Sequence, residues 1–447
     1  MKNNHTMLLD EVFIYFILSL ITILLIRIKT MKQYILFVLS IFTSFLLRAS
    51  YWDKKELSQE AVVIVPVADM TGDALSCVER SLEVQYASIP VSWGNKLETC
   101  KRIHQLLFNE VVRVVERKDG QVKCQVPNAF WENAQGNRFN EFWTLEKNLC
   151  YLKDLKESGN LSAIPQPYSE NFVPQDLTKT ILLEGILTLT KPWFDKETGI
   201  WYSAGTRFVL IPAQTSVGSY LVEIFYNSVK NKKILSIPQE YALVSYSKQY
   251  TISRDTLIKV LKQWAENDPK KIPYVWGGCS CIALCNPYNA KKETITSGTQ
   301  ELTYWSRPEE DTPYTGYDCS SLILRSTQIC GMPYFFKNTT TAAKHLRSLA
   351  PTETLQNGDI IWIPGHVLVV SDVPTGECID SRGYDPGYGF VQAIKIEKVF
   401  QNITNFDQLV EAYRKQLPLN LLSRDGSLSK EVKEYKLLSL KSIYDKE

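Results

Sequence analysis

The chain has 447 residues, enough for roughly two to three domains of ordinary size, and its 45% hydrophobic and 22% charged residues make a globular balance. Fifty basic against 48 acidic residues leave a net charge of +2, so the basic excess that a dedicated nucleic-acid binder needs is absent and no nucleic-acid partner is expected. Ten cysteines occur without a repeated CxxC pattern, which argues against a zinc ribbon.

The N-terminus holds two apolar runs, residues 12–26 and 34–47, each short of the roughly 18–20 residues that span a bilayer. Read from Met31, the later run has the layout of a secretory signal: Met31-Lys32 a charged start, 34–47 the apolar stretch, and Ala49 or Ser50 a small residue for cleavage. The rival reading keeps both runs as a membrane anchor or hairpin. Residues 1–50 are therefore assigned as signal peptide or anchor, and either reading places the rest outside the cytoplasm, in the periplasm or cell envelope.

From residue 60 the pattern turns to short β-rich runs. Residues 61–67 suggest a strand, and 110–116 and 121–126 suggest two more joined by Asp119-Gly120, a strong hairpin signal. A β domain over 58–157 follows, then a linker over 158–174 marked by Gly159, Pro165, Pro167 and Pro174. A second β domain is assigned to 178–250. Its Gly205-Thr206-Arg207-Phe208-Val209-Leu210 run and its close, from Ile237-Pro238 to Leu243-Val244, resemble bacterial SH3-like barrels; the resemblance is weaker for 58–157. Such barrels either bind a ligand or merely hold the following domain in place.

A third domain is assigned to 251–415. Leu257, Ile258, Leu261 and Trp264 fall at helical spacing, predicting an amphipathic helix over 255–266. Asp318 is a good N-cap before an apolar run that Gly331 and Pro333 close, so Cys319 falls in the first turn of a helix, where unsatisfied amides favour a thiolate. Of four histidines, His5, His104, His345 and His366, only His366 opens a strongly β-patterned run. A histidine fixed there can take a thiol proton and return it to a leaving amine. The turn at 373–376 lies midway between His366 and Asp380, so a simple hairpin sets Asp380 opposite His366, able to orient the imidazole. Each of the three has a plain structural alternative: a buried core thiol, a half-buried histidine at a strand end, a turn aspartate.

Four short pieces then coincide in order: Pro273-Tyr274-Val275-Trp276-Gly277-Gly278, Gly316-Tyr317-Asp318-Cys319-Ser320-Ser321, Asn357-Gly358-Asp359-Ile360-Ile361 and His366-Val367. With them, residues 271–400 resemble the NlpC-type cell-wall peptidases, papain-like enzymes that cut γ-D-glutamyl bonds to a diamino acid. The resemblance implies an α+β papain-like catalytic domain, here preceded by two small β-barrel SH3-like domains. It implies Cys319 as nucleophile, His366 as base and Asp380 as orienting group, where histidine is more usual. It also implies that Tyr274, Asp318 and Ser320 line the substrate cleft, with Asp318 suited to a free amine on a peptidoglycan stem peptide. Ser321, assigned with them to substrate binding, stands where the family has glycine, so a side chain there either crowds the helix packing or reshapes the cleft. Oxyanion stabilisation would come from the Cys319 amide and a neighbouring donor. A monomer without cofactor or metal is implied.

The join between the first two motifs is long, and it carries Cys279, Cys281 and Cys285. That spacing without a histidine is a weak zinc signal; a disulfide pinning a loop beside the cleft is the expectation in an oxidising compartment. Residues 416–447 read as a charged tail or surface helix without function. The leading reading is a peptidoglycan endopeptidase acting on stem peptides; an amidase or acyltransferase of the same fold, or a non-catalytic wall-binding protein, are the alternatives.

Overall fold

A computed structural model describes residues 52, 57–76, 80–93, 101–133, 135–168, 185–211, 218–226, 228–245, 253–266, 270–282, 284, 290–297, 300–307, 314–385 and 388–443. The chain divides into two units, 1–55 and 56–447. The apolar runs at 12–26 and 34–47 lie outside the described residues. Among the described residues, no helix is long and apolar enough to cross a membrane.

Two antiparallel sheets make up most of the first half of the second unit. Strands β1 (Glu60–Val63), β2 (Val67–Thr71), β3 (Arg102–Leu107), β4 (Val111–Lys118), β5 (Gln121–Gln125), β6 (Glu141–Leu145) and β7 (Leu149–Tyr151) pair in the order β7-β1-β4-β5-β6-β2-β3. The Asp119-Gly120 signal is the β4–β5 turn, with both residues at positive φ (49° and 78°) and Lys118 paired to Gln121. Strands β8 (Ile186–Leu189), β9 (Arg207–Leu210), β10 (Ser219–Tyr226), β11 (Ser228–Pro238) and β12 (Ala242–Ser245) pair in the order β11-β10-β9-β8-β12. Where two small barrels were expected, no pairing among the described residues closes either sheet.

The stretch expected as a linker is packed over its first part. Asn160, Ala163 and Ile164 are buried, Arg207 Nη1 donates to the Gln166 carbonyl at 2.9 Å, and its guanidinium lies 4.2 Å from the Tyr168 ring centre. Residues 169–174 fall outside the described residues.

Helix α1 (Arg254–Ala265) matches the predicted amphipathic segment; Ser253 caps it, and Trp264 at its buried end stacks on Tyr317 at 4.7 Å. The long join forms a hairpin, β13 (Lys291–Ser297) and β14 (Gln300–Ser306), which pairs outward with Ser92–Trp93. Helices α2 (Cys319–Ile329) and α3 (Thr339–His345) follow. Strands β15 (Arg347–Ser348), β16 (Ile360–Ile363), β17 (His366–Asp372), β18 (Glu377–Arg382), β19 (Phe390–Lys395) and β20 (Lys436–Ser439) form a six-stranded antiparallel sheet in the order β15-β20-β16-β17-β18-β19. A core containing Leu322 and Ile323 of α2 meets one face through Val369, Ile379 and Leu438. A second core with Ile396, Phe406 and Leu409 covers the other through Leu368, Val370 and Leu437.

The expected charged tail is thus wrong in one part: β20 sits inside this sheet, with Leu437, Leu438 and Leu440 fully buried. The exposed residues 428–431 before it carry the polar character that masks the strand.

Candidate active site

Asp318 caps α2 as its residue type predicts, its Oδ1 accepting from the Ser321 amide at 2.6 Å, and this sets Cys319 at the first helical position. The Tyr274–Gly278 motif provides the facing wall by close backbone approach. Gly277 has φ +70°, and a Cβ there would lie 2.3 Å from the Arg102 carbonyl oxygen; a Cβ on Gly316 would lie 2.2 Å from the Pro273 carbonyl oxygen. Only glycine lets these three segments converge on the helix start.

His366 begins β17 beside that helix end, and Gly365, the residue before it, lines the same cleft as Cys319. His366 Nε2 lies 3.0 Å from Asp380 Oδ2, so proton exchange with a thiol falls to Nδ1. The pair forms differently from the simple hairpin count. The β17–β18 register sets Val369 against Ile379 and shifts between Val370 and Asp372, so Arg382, not Asp380, continues opposite His366. Asp380 reaches the imidazole as the diagonal neighbour on the same face.

Asp380 is fully buried yet engaged on both oxygens: Arg382 Nε donates at 3.1 Å with Nη2 of the same guanidinium in ion-pair range at 3.0 Å, and Gln392 Nε2 donates at 3.1 Å. Burial alone would raise its pKa, but the Arg382 charge and the His366 bond outweigh it and hold the carboxyl below its ordinary range. Burial lowers His366, with Asp380 restoring only part, so the imidazole is neutral at neutral pH and fit to act as base. The thiol behaves otherwise than its helix position suggests. Burial, reinforced by the Asp318 carboxylate, pushes Cys319 up to about 12, and the Val367 amide and Lys337 oppose this only weakly. The resting site is a thiol beside a neutral imidazole, and a thiolate forms there when a proton passes to His366.

Cys319 opens into a cleft of about 370 Å³ whose lining includes Tyr274, Trp276, Ser320 and Lys337, together with Ile103 and Trp131 from the first sheet region. The long join was expected to border this cleft; none of its described hairpin residues is in the lining, and Trp305 stacks at 5.1 Å on Tyr384, which meets the lining residue Tyr274 edge-on. Nor does the expected disulfide form from Cys279, which is a free, buried thiol, and Cys285 lies outside the described residues. The loop is instead fixed by hydrogen bonds: the Cys279 amide and Ser280 Oγ both donate to Gln105 Oε1, at 2.9 and 2.6 Å.

Of the predicted substrate residues, Tyr274 and Ser320 line the cleft. Ser321 does not: it is fully buried, and its Oγ accepts from Lys337 Nζ at 2.6 Å, which is what the side chain in place of glycine does here. Asp318 lines the cleft, but its carboxylate is already occupied by Lys337 Nζ at 3.1 Å and three other donors. Sequence reading missed Lys337, Arg382 and Gln392. Arg382 stands two residues from Asp380 on one strand face, a signal that could have been read; Lys337, in a loop, offers none.

No family model matches the chain, and no curated protein matches it. Among solved structures, it is similar to the crystal structure of an NlpC/P60 family protein from Bacillus cereus ATCC 10987, with a TM-score of 0.46 and 18% identity over 75% of this chain and 94% of that one. It is also similar to NlpC2 and NlpC1 from Trichomonas vaginalis, at TM-scores of 0.27 and 0.26 and 12% identity, over 76% of this chain and 94% and 88% of those chains.

Proposed function

We propose that the chain is an exported cysteine endopeptidase that cuts the γ-D-glutamyl to diamino acid bond of cell-wall stem peptides. The observation that carries this reading is the His366–Asp380 pair at 3.0 Å, on a strand that begins next to Gly365, which lines one cleft with Cys319. The four motifs quoted from the sequence supply the substrate class.

In this reading Cys319 Sγ attacks the scissile carbonyl as its proton passes to His366. The resulting imidazolium faces an ionised Asp380, which Arg382 and Gln392 hold in place. Collapse of the tetrahedral intermediate breaks the C–N bond, and His366 returns the proton to the leaving amine. Water, deprotonated by His366, then hydrolyses the thioester and regenerates the thiol. The neutral imidazole and protonated thiol of the resting site are the starting state these steps require.

The test is digestion of purified peptidoglycan with the protein and with Cys319→Ala, followed by mass spectrometry of the released fragments. Fragments beginning at the diamino acid, absent with the variant, are the expected result. Equal release by both would reject the nucleophile; release of whole stem peptides beginning at their first alanine would mark an amidase.

A further inference from the structure

A carboxylate offers about four lone-pair positions, and four donor groups already face those of Asp318. Oδ1 accepts from the Ser321 amide at 2.6 Å and lies 2.8 Å from Ser320 Oγ, whose one proton it shares with the Lys337 carbonyl; Oδ2 accepts from the Gly277 amide and Lys337 Nζ, both at 3.1 Å. Among the described residues lining the cleft, Asp318 is the one carboxylate. Its cation is built in. The Lys337 side chain is only 5% exposed and has Ser321 Oγ as a second anchor at 2.6 Å. The main chain of Lys337 is fixed as well, its amide donating to the Phe130 carbonyl at 2.8 Å and its carbonyl, 2.7 Å from Ser320 Oγ, sharing that hydroxyl's proton with Asp318. The other cation in the lining, Arg102, is matched by Asp69 at 2.8 Å, outside the cleft lining.

A substrate ammonium brought to this wall would therefore find Asp318 already surrounded by four donor groups. It would also meet Lys337 as a like charge in a site shielded from water, where repulsion is strongest. We propose that Lys337 is a specificity-determining residue that makes the cleft a receptor for acyl segments without an ammonium beside the scissile bond. The substrate class is then a stem peptide whose amino end is amide-linked, as in intact wall, and not a trimmed peptide with a free amino terminus. This deepens the peptidase reading and rests on it for the substrate, while the charge selection is a property of the cleft alone.

Two measurements separate the two. First, Cys319 is alkylated at one pH with iodoacetamide, iodoacetate and (2-bromoethyl)trimethylammonium, and its modification is followed by mass spectrometry. Comparing each variant's rate ratio between reagents cancels its thiolate fraction. The wild type should discriminate against the cation relative to iodoacetate by about tenfold beyond a small-thiol control, and Lys337→Met should erase or reverse this. Lys337→Arg should keep it, and Ser321→Ala, which removes one anchor without removing the charge, should weaken it even if Lys337→Met fails to fold. A wild-type ratio equal to the control, or one unchanged by these variants, would overturn the proposal. Second, L-alanyl-γ-D-glutamyl-diaminopimelate is offered with free and with acetylated amino terminus. Preference for the acetylated form that shrinks in Lys337→Met supports the proposal, and preference for the free amine overturns it. Charge-selective alkylation without peptide cleavage would fell the peptidase reading and leave this one standing; charge-blind alkylation with cleavage would do the reverse.

Discussion

Arg325 Nη1 lies 2.6 Å from Glu110 Oε1, an ion pair between the helix that Cys319 begins and the first sheet region, with the two side chains 0% and 5% exposed. Glu110 is also held by Asn128 Nδ2 at 2.9 Å and the Leu107 amide at 2.9 Å, so its loss would orphan three buried donors. Glu110→Ala should cost about 3–5 kcal/mol in denaturant unfolding, the range for stranding one member of a buried pair. The exposed pair Arg117–Glu146, with side chains 56% and 39% exposed, is the control: Glu146→Ala should cost below about 1 kcal/mol. A cost for Glu110→Ala no larger than the control's would mean the helix and sheet are not coupled through this pair.

The acid limb of activity should lie below pH 6.5. Burial lowers the folded-state pKa of His366 from 6.5, so the neutral base persists to lower pH than in a free histidine. The stability sign follows from the same shift. As pH falls below 6.5 the unfolded chain takes up this proton first, so stability declines from there down through the lowered folded value. The Asp380 contribution, with its pKa held below 3.8, fades only at more acid pH. Asp380→Asn removes an acceptor that favours imidazolium. It should move the acid limb lower still while cutting kcat/KM on the order of 10²–10⁴-fold through loss of imidazole orientation. An acid limb above 6.5 in the wild type, or one that rises in the variant, would contradict this account.

The site residues legible in the sequence were those set by local rules. Asp318 and Cys319 follow from capping chemistry, and the Asp119-Gly120 turn follows from the φ > 0 requirement at its two central positions. A symmetric turn would set Asp380 directly opposite His366, and the register shift near Ser371 makes it a diagonal partner instead. Lys337, Trp131 and Ile103 were not legible, because each reaches the cleft from a loop, a two-residue strand or another sheet, and no periodicity encodes such meetings. Ser321 stands out in the sequence as a departure from glycine, but only its Lys337 partner explains it. The closing leucines of β20 were hidden by polar neighbours, since a five-residue window reads the exposed residues before the buried ones.

Gly277→Ala tests why the motif needs glycine. The backbone there sits at φ +70°, and the added Cβ would meet the Arg102 carbonyl oxygen at 2.3 Å, an atom fixed in β3. Strain of this kind costs on the order of 1–3 kcal/mol, and relief requires moving the wall that Trp276 carries. A lowered unfolding midpoint with a raised KM is the expected result. An alanine variant indistinguishable from wild type in both would show that the convergence of the Gly277 and Arg102 segments is unnecessary.

Removal of residues 416–447 tests whether the C-terminal segment is tail or core. Strand β20 stands between β15 and β16, so its loss strips two ladders from the six-stranded sheet. Leu437 belongs to the core on one face and Leu438 to the core on the other, the one that holds Leu322 and Ile323 of α2. Leu440 adds a third fully buried side chain, and its amide donates to Asp359 Oδ1 at 3.2 Å, a carboxylate that also pairs with Arg254 at 3.2 Å. At about 1.5–3 kcal/mol for each leucine, the burial alone amounts to roughly 5–9 kcal/mol, comparable with the whole stability of an ordinary domain. The truncated chain should therefore fail to fold, seen as loss of a cooperative transition and recovery in the insoluble fraction. Because truncation is blunt, Leu438→Ala supplies the graded form: about 2–5 kcal/mol, against almost nothing for Leu428→Ala, whose side chain is 58% exposed. A stable, active protein ending at residue 415 would return the segment to the status of a tail.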